Sequence, residues 1–277
     1  MLPREVGYAR PSSVPEALEL LAEADGVRAL AGGQTLVSVM KARAASPDSL
    51  VDLGALEELR GIELRPDGGL EIGAMTTLAE IVGSPEARAR PILPEVCAQI
   101  ADPQVRNRGT IGGNICANDP TNHLPPLIVA LGAEMTVLGP GGERIVAADD
   151  FFLGVYMTAV ATGELLTKLT IPPGRRDGFS SVTIGVDGTC LVSAAASLEH
   201  EPRIAIGCVG AVPQRPRELE ARLGEGLSLE QARSAVAGLG ASLDPPGDVH
   251  GSADYRRALA EVVVARAIAQ ASGRAAK

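Results

Sequence analysis

The sequence predicts a mixed α and β protein of about two domains, on three observations. The chain has 277 residues, against roughly 100–200 for an ordinary domain. Hydrophobic residues make up 45% and charged residues 21% of it, a globular composition rich enough in apolar side chains to bury a sizeable core. Segments with apolar residues at helical spacing also interleave with short strand-like runs along the chain.

The elements follow in order. Ser13, three residues before Glu16, forms a capping-box signature, and Pro15 suits a first helical turn. Val14, Ala17, Leu18 and Leu21 then make one apolar face. Arg28–Ala31 reads as a short buried strand running into Gly32-Gly33-Gln34-Thr35, and a second helix carries Leu36, Val39 and Met40. Ser49–Gly54 is another strand. Ile62 and Leu64 face Leu70 and Ile72 across Pro66-Asp67-Gly68-Gly69, which predicts a hairpin. Thr77 and Glu80 repeat the capping box for a helix that Ser84-Pro85 ends. Residues 91–101 read as a helix. Asp102–Pro126 is rich in Gly, Asn, Asp and Pro and is expected to hold little regular structure. A short helix at Leu127–Leu131 follows, and Met135–Leu138 pairs with Arg144–Val146. Pro172-Pro173-Gly174 is the best linker. Beyond it come strands at Val182–Ile184, Leu191–Leu198 and Arg203–Val209. Two helices close the chain, Leu229–Leu239 and Ala253–Ala271, the second with Leu259, Val262, Val263 and Ile268 on one face.

Composition excludes several function classes. Only three Tyr, three Phe and no Trp are present, which argues against ring stacking on single-stranded nucleic acid or sugars. The 25 basic and 34 acidic residues leave a net charge of −9 with no basic stripe, which disfavours nucleic acid and anionic membrane as partners. Cys97, Cys116, Cys190 and Cys208 are scattered, without a Cys-x-x-Cys pair, so neither zinc nor an iron–sulfur cluster is expected on this chain. The opening residues lack an apolar signal segment, and no apolar run reaches about 18 residues. A reduced, cytoplasmic protein without a membrane span is the expectation.

Two glycine loops carry the chemistry: AGGQT (Ala31–Thr35) and RNRGTIGGN (Arg106–Asn114). Adjacent glycines let the backbone approach a ligand and aim N–H groups at an anion. Thr110 and Asn114 add a hydroxyl and an amide beside them. Two such loops, each expected to leave a short strand, suggest a nucleotide pyrophosphate held between them. Neither is a G-x-G-x-x-G run opening a helix, and neither contains Gly-Lys-Ser/Thr, so Rossmann and P-loop sites are set aside. Alone, AGGQT is a weak signal, since such glycines also serve ordinary turns.

Acid–base machinery is sparse. His200, in EHEPR, belongs to a solvated turn, and His250 to a surface loop. His123 lies in the glycine-rich segment, where a ligand contact and a loop-packing role are equally open. Cys116 reads as a small buried thiol, and Asp119, before Pro120, as either a turn-former or a polar ligand group. Arg106 and Arg108 either pair with acids or face a partner. The residues point to a phosphate-bearing redox cofactor, which brings its own chemistry and asks the protein for placement.

At these residues the chain resembles the FAD-binding (medium) subunits of molybdenum-containing hydroxylases, such as those of carbon monoxide dehydrogenase and the flavin domain of xanthine dehydrogenase. The resemblance runs through PSSVPEALELLAEADGVRALAGGQTLVSVMKAR, LVDLGALEELRGI, IGAMTTLAEI, VRNRGTIGGNICANDPTNHLPPLIVALGAEMTVLGPGGERIV, DFFLGVYMT, GELLTKLTIP and SADYRRALAEVVVARAI. It implies an α+β, vanillyl-alcohol-oxidase-type (PCMH-type) FAD-binding fold over residues 1–172, with subdomains of about 1–54 and 55–172. A small C-terminal α/β domain would span 178–277.

The resemblance also implies the site. Ala29, Leu30, Ala31, Gly32, Gly33, Gln34, Thr35 and Leu36 would surround the FAD diphosphate, with Thr110, Ile111, Gly112, Gly113 and Asn114 as the second loop. Ile100 and Leu166 match apolar positions near the cofactor, and Asp119 and His123 complete the set. No catalytic residue and no metal ligand is expected on this chain. His123 stands where the family usually has an acidic residue, and FSSVTIG (Phe179–Gly185) lacks the family's Tyr-x-Lys. A histidine there is expected to hydrogen-bond the flavin or, protonated, to stabilise its reduced anion. Implied partners are a large molybdopterin subunit, which oxidises the substrate, and a small subunit with [2Fe–2S] clusters, with NAD or another acceptor taking the electrons. The competing readings are a degenerate flavin subunit kept as a scaffold and a stand-alone flavin reductase.

Overall fold

A computed structural model of the chain describes residues 4–185 and 188–274. Residues 1–3, 186–187 and 275–277, which fall inside the expected domains, lie outside the described residues.

The first unit runs β1 (Gly7–Ala9), α1 (Val14–Ala22), β2 (Val27–Leu30), α2 (Leu36–Lys41) and β3 (Ser49–Asp52). Ser13 caps α1 by accepting from the Glu16 N–H, while the Glu16 carboxylate returns to the N–H and hydroxyl of Ser12, one residue earlier than a capping box requires. β3 lies between β1 and β2, and both pairings are parallel. β2 is therefore an edge strand. Arg28 and Ala29 are exposed on it, which corrects the expectation of a buried strand at Arg28–Ala31.

The second unit comprises β4 (Ile62–Leu64), β5 (Leu70–Gly73), α3 (Leu78–Gly83), α4 (Ile92–Cys97), α5 (Pro103–Arg106), α6 (Ile111–Ala117), α7 (Leu124–Leu131), β6 (Glu134–Gly139), β7 (Gly142–Ala147), α8 (Ala148–Phe151), β8 (Phe152–Gly154), β9 (Met157–Thr158) and β10 (Leu165–Ile171). Its antiparallel sheet is ordered β4-β5-β10-β6-β7. Ile62 faces Ile72 and Leu64 faces Leu70, as the sequence predicts. Both halves of the Thr77/Glu80 capping box are formed at α3.

Two expectations fail here. The helix read at 91–101 ends at Cys97, and Ala101 adopts a left-handed φ of 46° while Arg106 holds the carbonyls of Ile100 and Ala101. The segment Asp102–Pro126, expected to be largely irregular, contains α5, α6 and the first turn of α7. Side-chain caps start the first two: Asp102 Oδ1 accepts from the Val105 N–H at 2.8 Å, and Thr110 Oγ1 from the Gly113 N–H at 3.1 Å. Pro103, Pro125 and Pro126 occupy first-turn positions, where a missing N–H costs nothing. α7 consequently begins at Leu124 rather than Leu127.

The C-terminal unit has β11 (Asp177–Ile184), β12 (Thr189–Ser197), β13 (Arg203–Gly207), α9 (Arg217–Glu220), α10 (Leu229–Val236) and α11 (Ala253–Gly273), with β12 central in an antiparallel sheet. One face packs Val192, Ala194 and Ala196 against Val263, Val264 and Ile268 of α11. The other face contributes Phe179, Ala195 and Ala205 to the main core. Helix α7 lies between the two layers, so all eight of its residues are buried. Val262, expected on the buried face of α11, is exposed; Ala260, Val264, Ala267 and Ala271 fill the buried stripe instead.

Candidate functional site

The two glycine loops meet backbone to backbone. A Cβ on Gly32 would lie 2.0 Å from the Arg108 carbonyl oxygen and 2.9 Å from Gly109 Cα, so only glycine permits the approach. Gly113 lies against Ala31, since a Cβ there would be 3.3 Å from the alanine methyl. AGGQT and the start of TIGGN are thus a single surface. Behind it, Gly112 is pressed on the end of β5, its N–H bonded to the Ala74 carbonyl at 2.9 Å, with 2.6 Å from a would-be Cβ to Ala74 Cβ. Ile111 donates to the Thr76 carbonyl, and Leu78 to that of Gly109.

The loops differ in what they leave free. Among the described residues, no acceptor within the chain takes the N–H groups of Gly33, Gln34, Thr35 and Leu36. Gln34 folds back, its Nε2 bonding the Gly32 carbonyl at 2.9 Å, which leaves those amides uncovered. The second loop was expected to aim several N–H groups at an anion, and it does not. Ile111 and Gly112 bond to the β5 end, while Gly113 and Asn114 bond to Thr110. Nor does it leave a strand; it links α5 to α6. Its free polar atom is a side chain: Asn114 Oδ1 is buried without a partner. Buried polar atoms are nearly always satisfied, so an orphan beside a glycine cradle marks a place for a ligand.

The remaining expected residues surround this surface unevenly. Ile100 is half-buried against the main core, and Leu166 is buried in β10 opposite Val137. Asp119 forms a turn, accepting from the N–H and hydroxyl of Thr121, and also receives the Tyr156 hydroxyl at 3.2 Å. Arg106 donates to the carbonyls of Ile100 and Ala101 rather than to an acid, and Arg108 is exposed.

His123 is 5% exposed, at the start of α7, with its ring centroid 5.3 Å from that of Phe179. Burial lowers its pKa from 6.5 to about 4, so the imidazole is neutral at neutral pH in the cofactor-free chain. Burial raises the thiols of Cys97 and Cys116 to about 12.

Several contributors escaped the sequence reading. Asn118, left-handed at φ 39°, ends α6 and donates from Nδ2 to the carbonyls of Gly154 and Met157, tying the β8–β9 hairpin to the glycine-loop helix. Asn122 Nδ2 donates to the Asn114 carbonyl at 3.2 Å. An asparagine closing a short helix is the sequence signal that could have marked the first.

Fold and site together define a cofactor-binding protein: two joined glycine loops on an α+β scaffold, the first presenting free amides and the second an unpartnered asparagine oxygen. The family described as "FAD binding domain in molybdopterin dehydrogenase" matches residues 4–174, and "CO dehydrogenase flavoprotein C-terminal domain" matches 175–271. The carbon monoxide dehydrogenase medium chain of Hydrogenophaga pseudoflava is 37% identical, over 100% of both chains. The nicotine 6-hydroxylase medium subunit of Paenarthrobacter nicotinovorans is 36% identical, over 97% of this chain and 98% of its own. A solved structure of reconstituted carbon monoxide dehydrogenase from Oligotropha carboxidovorans superposes with a TM-score of 0.92 at 36% identity, covering 99% of this chain and 100% of that one. The chain belongs to the FAD-binding medium-subunit family of molybdenum hydroxylases, flavoprotein oxidoreductase components whose cofactor is FAD.

Proposed function

We propose that this chain is the electron-transfer subunit of a heteromeric, cytoplasmic molybdenum hydroxylase. It receives electrons from the [2Fe–2S] clusters of a small partner subunit and delivers them to NAD or another acceptor. A large partner subunit oxidises the substrate at its molybdopterin. The observation that carries this reading is the joined glycine surface, with four unengaged amides on one side and the orphaned Asn114 Oδ1 on the other.

FAD, when bound, supplies reversible electron transfer. The residues present fit it. The N–H groups of Gly33, Gln34, Thr35 and Leu36 would donate to its diphosphate, an anion cradle that needs no basic pocket in a chain of charge −9. Ala29, Leu30, Ala31 and Gly32 hold that strand end in place. Thr110, Ile111, Gly112 and Gly113 would set how closely the cofactor approaches, and Asn114 Oδ1 would be free to accept from a donor on it. Ile100 and Leu166 supply the apolar side. Asp119 and neutral His123 shape the 119–123 segment beside Asn114. The division into 1–172 and 178–277 is supported by the two adjoining family matches.

The visible spectrum of the purified chain tests the reading. Paired flavin bands, with FAD released on denaturation, are expected. Protein that stays colourless after incubation with FAD would favour the scaffold instead. Co-expression with the neighbouring reading frames should yield a complex containing one cysteine-rich and one much larger chain.

A further inference from the structure

Among the described residues, β8 and β9 form a two-stranded hairpin that no other strand joins. It carries Leu153, Val155, Tyr156 and Met157, each between 47% and 60% exposed, and no charged side chain. Four large apolar side chains within five consecutive residues make a patch, and exposed apolar patches mark places where something binds. Phe152, at the base of the hairpin, is buried in the main core, and β9 packs against α6, the helix that opens with the second glycine loop.

Two contacts fix the attitude of Tyr156. Its N–H donates to the Asn118 carbonyl and its hydroxyl to Asp119 Oδ2, both at 3.2 Å. Its backbone is left-handed at φ 56°, a conformation costly for a bulky residue and kept only where the surroundings impose it. Asn118 follows Asn114 by one turn of helix, so the anchor of Tyr156 and the unpartnered Asn114 Oδ1 are a single turn apart. Asn122 ties the far end of the segment back to the Asn114 carbonyl. Partial burial and the Asp119 carboxylate raise the Tyr156 pKa, so its ring is a neutral phenol. The three Phe are buried, Tyr8 lies on β1 and Tyr255 on α11. Tyr156 is thus the one exposed aromatic ring fastened to the 118–123 segment.

We propose that Tyr156 is the side chain against which the flavin ring of bound FAD packs, with Leu153, Val155 and Met157 as an apolar lip around it. The inference rests on the reading of the glycine surface as the diphosphate cradle. Free amides serve the charged half of the cofactor, and its flat aromatic half needs apolar cover. The hairpin supplies that cover one helical turn beyond Asn114, from a ring whose hydroxyl is already held and whose face is free. Contact between aromatic rings adds to the burial of their area. Asp119 is the positioning residue, since its carboxylate sets the direction of the phenol.

The test is the fluorescence and FAD affinity of the full chain titrated with FAD. A phenol packed on a flavin ring quenches its emission by lending an electron that returns at once, and a phenyl ring does not. The chain has three tyrosines and no tryptophan, so substitution identifies the quencher. Bound flavin should be dim in the parent and several-fold brighter in Tyr156→Phe. Affinity should stay within about twofold of the parent in Tyr156→Phe and fall about tenfold in Tyr156→Leu, the equivalent of one aromatic contact. Tyr8→Phe and Tyr255→Phe should remain as dim as the parent. Circular dichroism of the FAD-free variants should match the parent, because the side chain is exposed. A parent that binds no FAD overturns the cradle reading and this proposal with it. A parent that binds FAD, while Tyr156→Phe stays dim or Tyr156→Leu binds as tightly, overturns this proposal alone.

Discussion

Arg90 grips both carboxylate oxygens of Asp177, Nε to Oδ2 at 2.6 Å and Nη2 to Oδ1 at 2.8 Å, across the boundary between the two family-matched segments. The same guanidinium donates to the Ser197 hydroxyl at 3.0 Å and the Pro172 carbonyl at 2.5 Å. One side chain thus ties the Pro-Pro-Gly linker, β11 and β12 to the helices of the first segment. Both partners are almost wholly buried, 3% and 1% exposed.

Asp177→Ala is therefore expected to destabilise the chain by about 3–5 kcal/mol, because it leaves a buried guanidinium uncompensated. Arg90→Lys should recover little, since one ammonium cannot span the forked geometry. The pair Arg90→Met/Asp177→Leu should cost less than Asp177→Ala alone, as both charges leave together. Urea unfolding of the three variants checks the order. A double variant worse than the single one would show that the clamp is a net source of stability rather than a specificity device.

Gly32→Ala tests the meeting of the loops. The new methyl would sit 2.0 Å from a backbone oxygen that has no rotamer to escape into, a case of overpacking expected to cost about 1–3 kcal/mol. FAD retention should fall with it, because the loops must part. Gly141→Ala, with nothing within 4 Å of its Cβ, is the control and should stay within about 0.5 kcal/mol of the parent. Thermal melts and fluorescence titration with FAD read the two effects.

Asn114→Leu separates binding from folding. Asn114 Oδ1 satisfies nothing within the chain, and replacing an unpaired buried polar group by an apolar one of similar size is neutral or stabilising. The cofactor-free protein should hold or gain stability, while FAD binds about tenfold more weakly for one lost hydrogen bond. An equal loss in both measurements would make the asparagine structural.

Local signals were readable where both partners of an interaction lie close in sequence. The Ile62–Ile72 and Leu64–Leu70 pairs and the Thr77/Glu80 box needed only a turn's length of chain. Long-range placement was not. β10 pairs with β5 and β6, which are remote in sequence, and nothing in GELLTKLTIP names its neighbours. The helices of 102–126 were hidden because Gly, Asn and Pro read as loop, although Asp102 and Thr110 already stood as caps. The residues of both glycine loops were legible, but not their division of labour. Whether an amide is free depends on Ala74 and Thr76, which reach the second loop only in the folded chain.

His123 carries a prediction about acid. Its pKa is about 4 in the folded chain and near 6.5 when unfolded. Between those values the unfolded state binds a proton that the folded state refuses, so stability rises with pH across the window. The contribution is complete above about pH 6.5 and is lost as pH falls towards 4, where the cost of the neutral, buried imidazole reaches about 3 kcal/mol. His123→Phe keeps an aromatic ring against Phe179 and removes the proton site. Chemical unfolding at stepped pH from 7 to 4 should show a steep decline in the parent and a shallower one in this variant. Parallel declines would place the acid sensitivity on carboxylates such as Asp149, whose pKa, pushed up by partial burial, is held low on balance by hydrogen bonds and charge from Arg203 and Arg215.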